Sequence, residues 1–370
     1  MSLLEKATII TTPTAHSNGT LHSIKGGAVA DFDVVRGSAA TGVNAEGLIE
    51  SVATNIPRID YTTGEGVVLL EPQSTNLVTY SEDFSSLNER DNAVAISNQV
   101  ASPSGLLDAD EITFDGTLYG RIETSFSTTN GATYTISVYL KNKDLSDVTQ
   151  VWLGFANIGQ GQFVTITDEW QRYDITLAAN GTTEYPRIQF SGTGSLYAWG
   201  FQAEALPYST SYIPTSGAIA TRLADSVTGA GDVSTFNDSE GVLYFEGSAL
   251  TNSLDTDGII RIGNSSEYVD LRYDTSQNRM QMVVRAGGGN QTTSGVAITD
   301  TTANNKFALK YKENDFTLWV NGVEEVTDNS GSTPTGLSEL SFTNFKGKVK
   351  ALAVFNEALT DSELECLTTI

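Results

Sequence analysis

Six residues carry the spacing that most invites chemistry: Tyr119, Arg121, Tyr139, Trp152, Arg187 and Gln189. Aromatic rings offer flat faces on which the C–H side of a sugar can stack, and Arg and Gln supply hydrogen bonds of fixed geometry to its hydroxyls. Each of the six falls in the outward phase of an alternating segment, opposite residues that read as core. If the four strands that carry them share a sheet, they form one aromatic and polar face suited to a glycan. Tyr and Trp also build interfaces, so packing against the N-terminal segment or a neighbouring subunit is the competing reading.

Covalent chemistry has little to work with. The only histidines, His16 and His22, lie in an irregular N-terminal piece, and a Ser-His-Asp arrangement would need one of them to reach a nucleophile in another domain. They are read as surface or packing residues. Their spacing fails the HExxH zinc pattern, and no G-x-S-x-G, P-loop or G-x-G-x-x-G stands in the right context. Gly287-Gly-Gly289 reads as a hairpin loop. Glycoside hydrolysis needs two convergent carboxyl groups. Glu89-Arg-Asp91 and Glu313-Asn-Asp315 begin a Glu-x-Asp-x-x-Glu pattern but lack its third acid. Catalytic residues are therefore assigned nowhere, and the chain is read as a non-enzyme.

Two further clusters have a chemical reading. Asp108, Asp110 and Glu111 are spaced to offer oxygens to a structural Ca²⁺, as are Asp255 and Asp257, although turn-capping is the commoner use of such aspartates. No other cofactor is indicated. In NIPRIDYTTGEGVVLLEPQ, Arg58 and Asp60 share a face of an extended segment. With Glu71 they form an expected structural joint, fastening an N-terminal docking segment to the first folded domain.

The elements that must position these residues are strands. The chain has 370 residues, too many for one ordinary core, and 39% hydrophobic content supports two or three domains. Gly, Ser and Thr are abundant, and the Leu/Ala/Glu/Lys stretches that helices need are nearly absent. Residues 1–72 read as short strands and loops that cannot bury much alone. Residues 73–215 alternate as strands do: Tyr134, Ile136, Val138 and Leu140 on one face, then Val151, Leu153 and Phe155, then Ile188 and Phe190. Short strands broken by Asn-Gly and Gly-Thr-Gly make a jelly-roll sandwich. Residues 216–237 read as a linker. Residues 238–370 return to strands about ten residues apart, a second sandwich. Asn321-Gly322 marks a hairpin there, and Thr360 with Glu363 has capping-box spacing before a short terminal helix.

Charge narrows the partners. A formal net charge of −24, from 21 basic and 45 acidic residues, repels phosphate backbones and argues against nucleic-acid binding. Cys366 is the only cysteine, so no disulfide framework forms within the chain. The first residues lack a basic stretch followed by an apolar one, and no run of about 18 apolar residues occurs, so neither a signal peptide nor membrane insertion is expected.

Three strings, in order, resemble a family of bacteriophage and prophage virion structural proteins: RGSAATGVNAEGLIESVATN, NIPRIDYTTGEGVVLLEPQSTNLVTYSEDF and YAWGFQAEALPYSTSYIPTSGAIATRLAD. Where that family shows Ala-Thr-Arg-Val, this chain has Ala40-Thr41-Gly42-Val43. The resemblance implies a jelly-roll similar to a carbohydrate-binding module. The ending GKVKALAVFNEALTDSELECL, after a Leu-Trp-Val-Asn-Gly hairpin, resembles concanavalin A-like, laminin G-type sandwiches. The expectation is an all-β, non-enzymatic virion protein, made in the host cytoplasm: a capsid decoration, head fibre, or tail or neck fibre component. Its expected partners are other virion proteins, further copies of itself in a homo-oligomer, and host-surface polysaccharide held weakly and multivalently. The alternatives are a tail polysaccharide depolymerase or glycosidase, and a cement protein without ligand.

Overall fold

The alternation along 134–140 becomes the strand Thr133–Asn142, with Tyr134, Ile136, Val138 and Leu140 all buried. The same period marks strands such as Ala7–Ser17, while others, such as Glu240–Ala249 and Phe316–Val320, are buried on both faces. The structure is a computed structural model and describes residues 2–17, 19–116, 119–143, 148–156, 160–252, 258–274 and 278–370. It consists of antiparallel β-sandwiches with very little helix. The chain divides into two units, one of residues 40–51 and 73–223, the other of residues 1–39, 52–72 and 224–370.

In the first unit two five-stranded sheets enclose one core. One sheet runs Ala93–Ala101, Leu107–Asp115, Thr193–Glu204, Thr133–Asn142, Gln171–Ala178. The other runs Gln160–Thr165, Gln150–Phe155, Pro186–Phe190, Gly120–Glu123, Asn88–Arg90. Phe84, Phe114, Ile122, Val138, Leu153, Phe155, Ile188 and Phe201 pack between them. The two outer faces differ. Over the first sheet, Tyr139, Trp199 and Tyr212 form a second apolar cluster with Ile49, Val100 and Trp170. The chain itself thus covers that face. The outer face of the second sheet carries the exposed Phe163 and the half-buried Trp152 instead.

In the second unit one long antiparallel ladder turns back over itself around a core that includes Phe245, Leu271, Tyr273, Met282 and Phe307. Tyr273 meets Phe307 edge-on at 5.9 Å between centroids. At Asn321-Gly322 both residues take positive φ, 51° and 87°, and join Phe316–Val320 to Val323–Asp328 as a tight hairpin. The chain's last helix, Asp361–Thr368, has the expected capping box between Thr360 and Glu363. Among the described residues, no helix is long and apolar enough to cross a membrane.

The units differ from the boundaries expected at 72, 215 and 237. Residues 1–72 do not form a separate docking segment: Ala7–Ser17 and Val67–Leu70 each pair with Gly347–Phe355 and belong to the second sandwich. Residues 40–51 belong to the first unit. The stretch expected as a linker also pairs. Ala220–Arg222 lies beside Ser74–Asn76 in the first unit, and Ser226–Ala230 lies between Phe32–Val35 and Leu340–Thr343 in the second. Backbone hydrogen bonds hold these short strands although their side chains show no clean period, so alternation could not reveal them.

Candidate glycan-binding face

Register on the uncovered sheet of the first unit brings four of the six sequence candidates together. Trp152 pairs with Gln189, and Gln189 with Arg121. On its other side Trp152 pairs with Phe163. Phe163, Trp152, Gln189 and Arg121 therefore form one row across four strands. Two residues along, Gly161, Gly154, Arg187 and Glu123 form the next. The intervening Ile122, Leu153 and Ile188 point inward and are buried, while Gln162, which completes that row at the sheet edge, is exposed.

Trp152 is seated by the two glycines of the second row. A Cβ added to Gly154 would fall 2.6 Å from Trp152 Cη2, and one added to Gly161 would fall 2.3 Å from Cζ2. The indole thus occupies space that any other residue there would fill. On the adjoining strand the Arg187 guanidinium lies 4.9 Å from the Trp152 ring centroid, a cation–π distance. Phe163 is 70% exposed beside it. Arg121 bonds Glu123 through Nε at 3.1 Å and forms an ion pair with Asp91. Burial holds the Arg187 guanidinium below the usual arginine range; Arg121 adds to this and Glu123 opposes it.

The other two candidates sit apart from these rows. Tyr119, next to the start of Gly120–Glu123, is exposed and has strand phase in common with Arg121. Tyr139 has the outward phase but belongs to the opposite sheet, where its ring lies 5.6 Å from Trp199. Phase alone does not say which sheet a strand joins. Phe163 was missed, although Gln-Gly-Gln-Phe-Val-Thr alternates and places it opposite Val164.

Within the quoted strings, several polar residues of this unit have a structural role. Glu204 accepts from Ser74 Oγ at 2.6 Å and Thr210 N at 2.9 Å, and Gln202 accepts from Ile213 N at 2.7 Å. Arg222 reaches Thr210 Oγ1 at 3.1 Å. These buried groups close the sandwich and do not line the face.

Asp108, Asp110 and Glu111 do not converge as the spacing suggested. Asp110 is buried and accepts from Phe84 N at 2.7 Å and Asn98 N at 2.9 Å, and burial pushes its carboxyl up to about 6. Glu111 pairs with Lys143 at 2.6 Å, while Asp108 accepts from Ser104. Among the described residues no group of three His, Cys, Asp or Glu is arranged to hold a metal. Asp255 and Asp257 lie outside the described residues.

The expected joint is a buried charge cluster inside the second unit. Arg58 bonds Glu71 at 2.5 Å and also Asp225, which Arg36 contacts at 3.0 Å. Burial opposes the charge on Arg58, but Glu71 and Asp225 outweigh it and hold its pKa above the usual value. Asp60 lies 3.6 Å from Lys348 and accepts from Thr62 N. These bonds tie residues 36, 58, 71 and 225 of one sandwich, rather than a docking segment to the jelly-roll.

A hydrogen-bonded chain runs Ser17–His22–Asp31, with Ser17 Oγ 2.6 Å from His22 Nε2 and His22 Nδ1 2.6 Å from Asp31 Oδ2. The serine needed no reach to another domain, contrary to expectation. Acyl transfer also requires oxyanion donors and a pocket for the acyl group. Two surface recesses among the described residues of this unit are lined elsewhere, one around Glu65, Lys348 and Lys350, the other around Val296 and Val320. Asp31 also accepts from Ser23 N at 2.8 Å, so the chain braces a hairpin.

Fold and face together define an all-β protein of two sandwiches, one presenting an uncovered aromatic and polar sheet. No family model matches this chain, and no curated protein does. Among solved structures it is similar to domain 4 of an extracellular arabinanase from Geobacillus stearothermophilus in complex with arabinotriose, at 12% identity and TM-score 0.33, over 44% of this chain and 82% of that one. It is also similar to domains LG4-5 of the mouse laminin alpha1 chain, at 10% identity and TM-score 0.27, over 64% and 88%. A Trypanosoma rangeli sialidase in complex with the inhibitor DANA is similar at 10% identity and TM-score 0.29, over 95% and 61%. At such scores none of these likenesses bears on what this chain binds or does.

Proposed function

We propose that this chain is a non-enzymatic bacteriophage virion protein whose jelly-roll holds host-surface glycans weakly and in many copies. The observation that carries the binding part is the seating of Trp152 on Gly154 and Gly161, beside Arg187 and the exposed Phe163. A fixed aromatic surface with hydrogen-bonding neighbours is what sugar recognition needs, and its rigidity limits the ordering cost of binding. The virion part is supported by the three strings read in the sequence. Repetition on a particle would raise avidity about 10²–10⁴-fold over one site. Homo-oligomerisation and docking to other virion proteins belong to the same reading.

Glycan-array binding of the full chain tests it, with Trp152→Ala alongside. Binding that Trp152→Ala weakens supports the reading. A wild-type chain that binds nothing across the array sinks it and leaves the cement alternative. Release of new reducing ends from a bound polysaccharide would overturn the non-enzymatic part.

A further inference from the structure

The second row of the face contains a guanidinium that no carboxylate among the described residues bonds. Arg187 is half-buried, and its Nε is buried with no hydrogen-bond partner. Among the described residues none forms a hydrogen bond or ion pair with it. Its neighbour Arg121 bonds both nearby acids, Glu123 and Asp91. Glu123 stands opposite Arg187 in the register and attracts it without bonding it. A guanidinium partly out of water, stacked beside Trp152 and with its terminal nitrogens bonded to no described residue, is matched by a carboxylate that takes parallel N–H bonds from those nitrogens.

We propose that Arg187 binds the carboxylate of an acidic sugar whose ring packs on Trp152 and Phe163, so that the ligand is a polycarboxylate glycan. This rests on the glycan-binding reading of the same face. The chain's charge of −24 acts against any anion. At physiological salt, however, charges more than about 8 Å away are largely screened. The near acids, Glu123 and Asp91, are paired with Arg121, and a bonded pair at Arg187 outweighs the acidic surface beyond the screening length. Charge-assisted hydrogen bonds of this kind favour the charged ligand about tenfold or more.

The test measures binding of the full chain to polygalacturonate, alginate and polysialate, each compared with its methyl ester, which keeps the ring and removes the charge. Wild type is expected to prefer at least one acid over its ester by about tenfold. Arg187→Met should abolish that preference, and Arg187→Lys should restore only part of it, because an ammonium lacks the planar fork. Matching far-ultraviolet circular dichroism and thermal midpoints would show both variants folded. Equal binding of acid and ester by wild type overturns the inference and leaves the glycan reading standing. A preference that survives Arg187→Met overturns the assignment to Arg187. No binding to any of the six polymers or to the glycan array removes both readings.

Discussion

The indole of Trp152 rests where a side chain on Gly161 would be, with 2.3 Å between Trp152 Cζ2 and the position of a Cβ on that glycine. The two residues stand on neighbouring strands, and the absence of one side chain sets the pose of the other.

Gly161→Val should therefore displace the ring and weaken glycan binding about tenfold, close to the effect of Trp152→Ala. Gly289→Ala is the control, since a Cβ there meets nothing within 4 Å. Titration of all three variants against the best array ligand checks this. Unchanged affinity in Gly161→Val would show that the indole pose is irrelevant.

Tyr139→Ala should lower stability without lowering affinity. Its ring packs 5.6 Å from Trp199 and lies 5.5 Å from the Arg172 guanidinium on the covered sheet. Loss of a half-buried aromatic ring costs about 2–3 kcal/mol. Urea unfolding and glycan titration on the same samples separate the two effects.

Asp225→Asn should be among the most damaging single changes. It leaves Arg36 and Arg58, both fully buried, short of a shared counter-charge. Removing one member of such a cluster costs about 3–5 kcal/mol. Chemical denaturation of the full chain would reveal the loss.

Asp110 should make its unit less stable as pH rises from about 4 to 6. Its carboxyl is pushed up from 3.8 to about 6, so over that window the folded state binds the proton that the unfolded state has released. Stability from this group is complete below the lower value and is lost as pH passes the upper one. Relative to wild type, Asp110→Asn should gain about 2 kcal/mol across the window. Thermal midpoints at pH 4, 5, 6 and 7 measure the slope, and parallel curves would refute it.

Much of this architecture was readable from the chain. Alternation at Tyr134–Leu140 and Val151–Phe155 announced the jelly-roll strands and their inward faces, because a strand half-buried in a core must repeat every two residues. Asn321-Gly322 announced its hairpin for an equally local reason, the ease with which both residues take positive φ. Arg121, Trp152, Arg187 and Gln189 shared a phase and proved to share a sheet. Phe163 had the same signal and was overlooked.

Sequence alone determined which side of each alternating strand faces the core, since that follows from side-chain order along one segment. Only the tertiary structure decided which strands lie together. It put Tyr139 under a covering of Trp199 and Tyr212, and Trp152 on an open face beside Arg187. It also gave Ala7–Ser17 to a strand more than 300 residues away, Gly347–Phe355. Such pairings rest on backbone hydrogen bonds and on burial against distant partners, and neither leaves a local mark in the order of the amino acids.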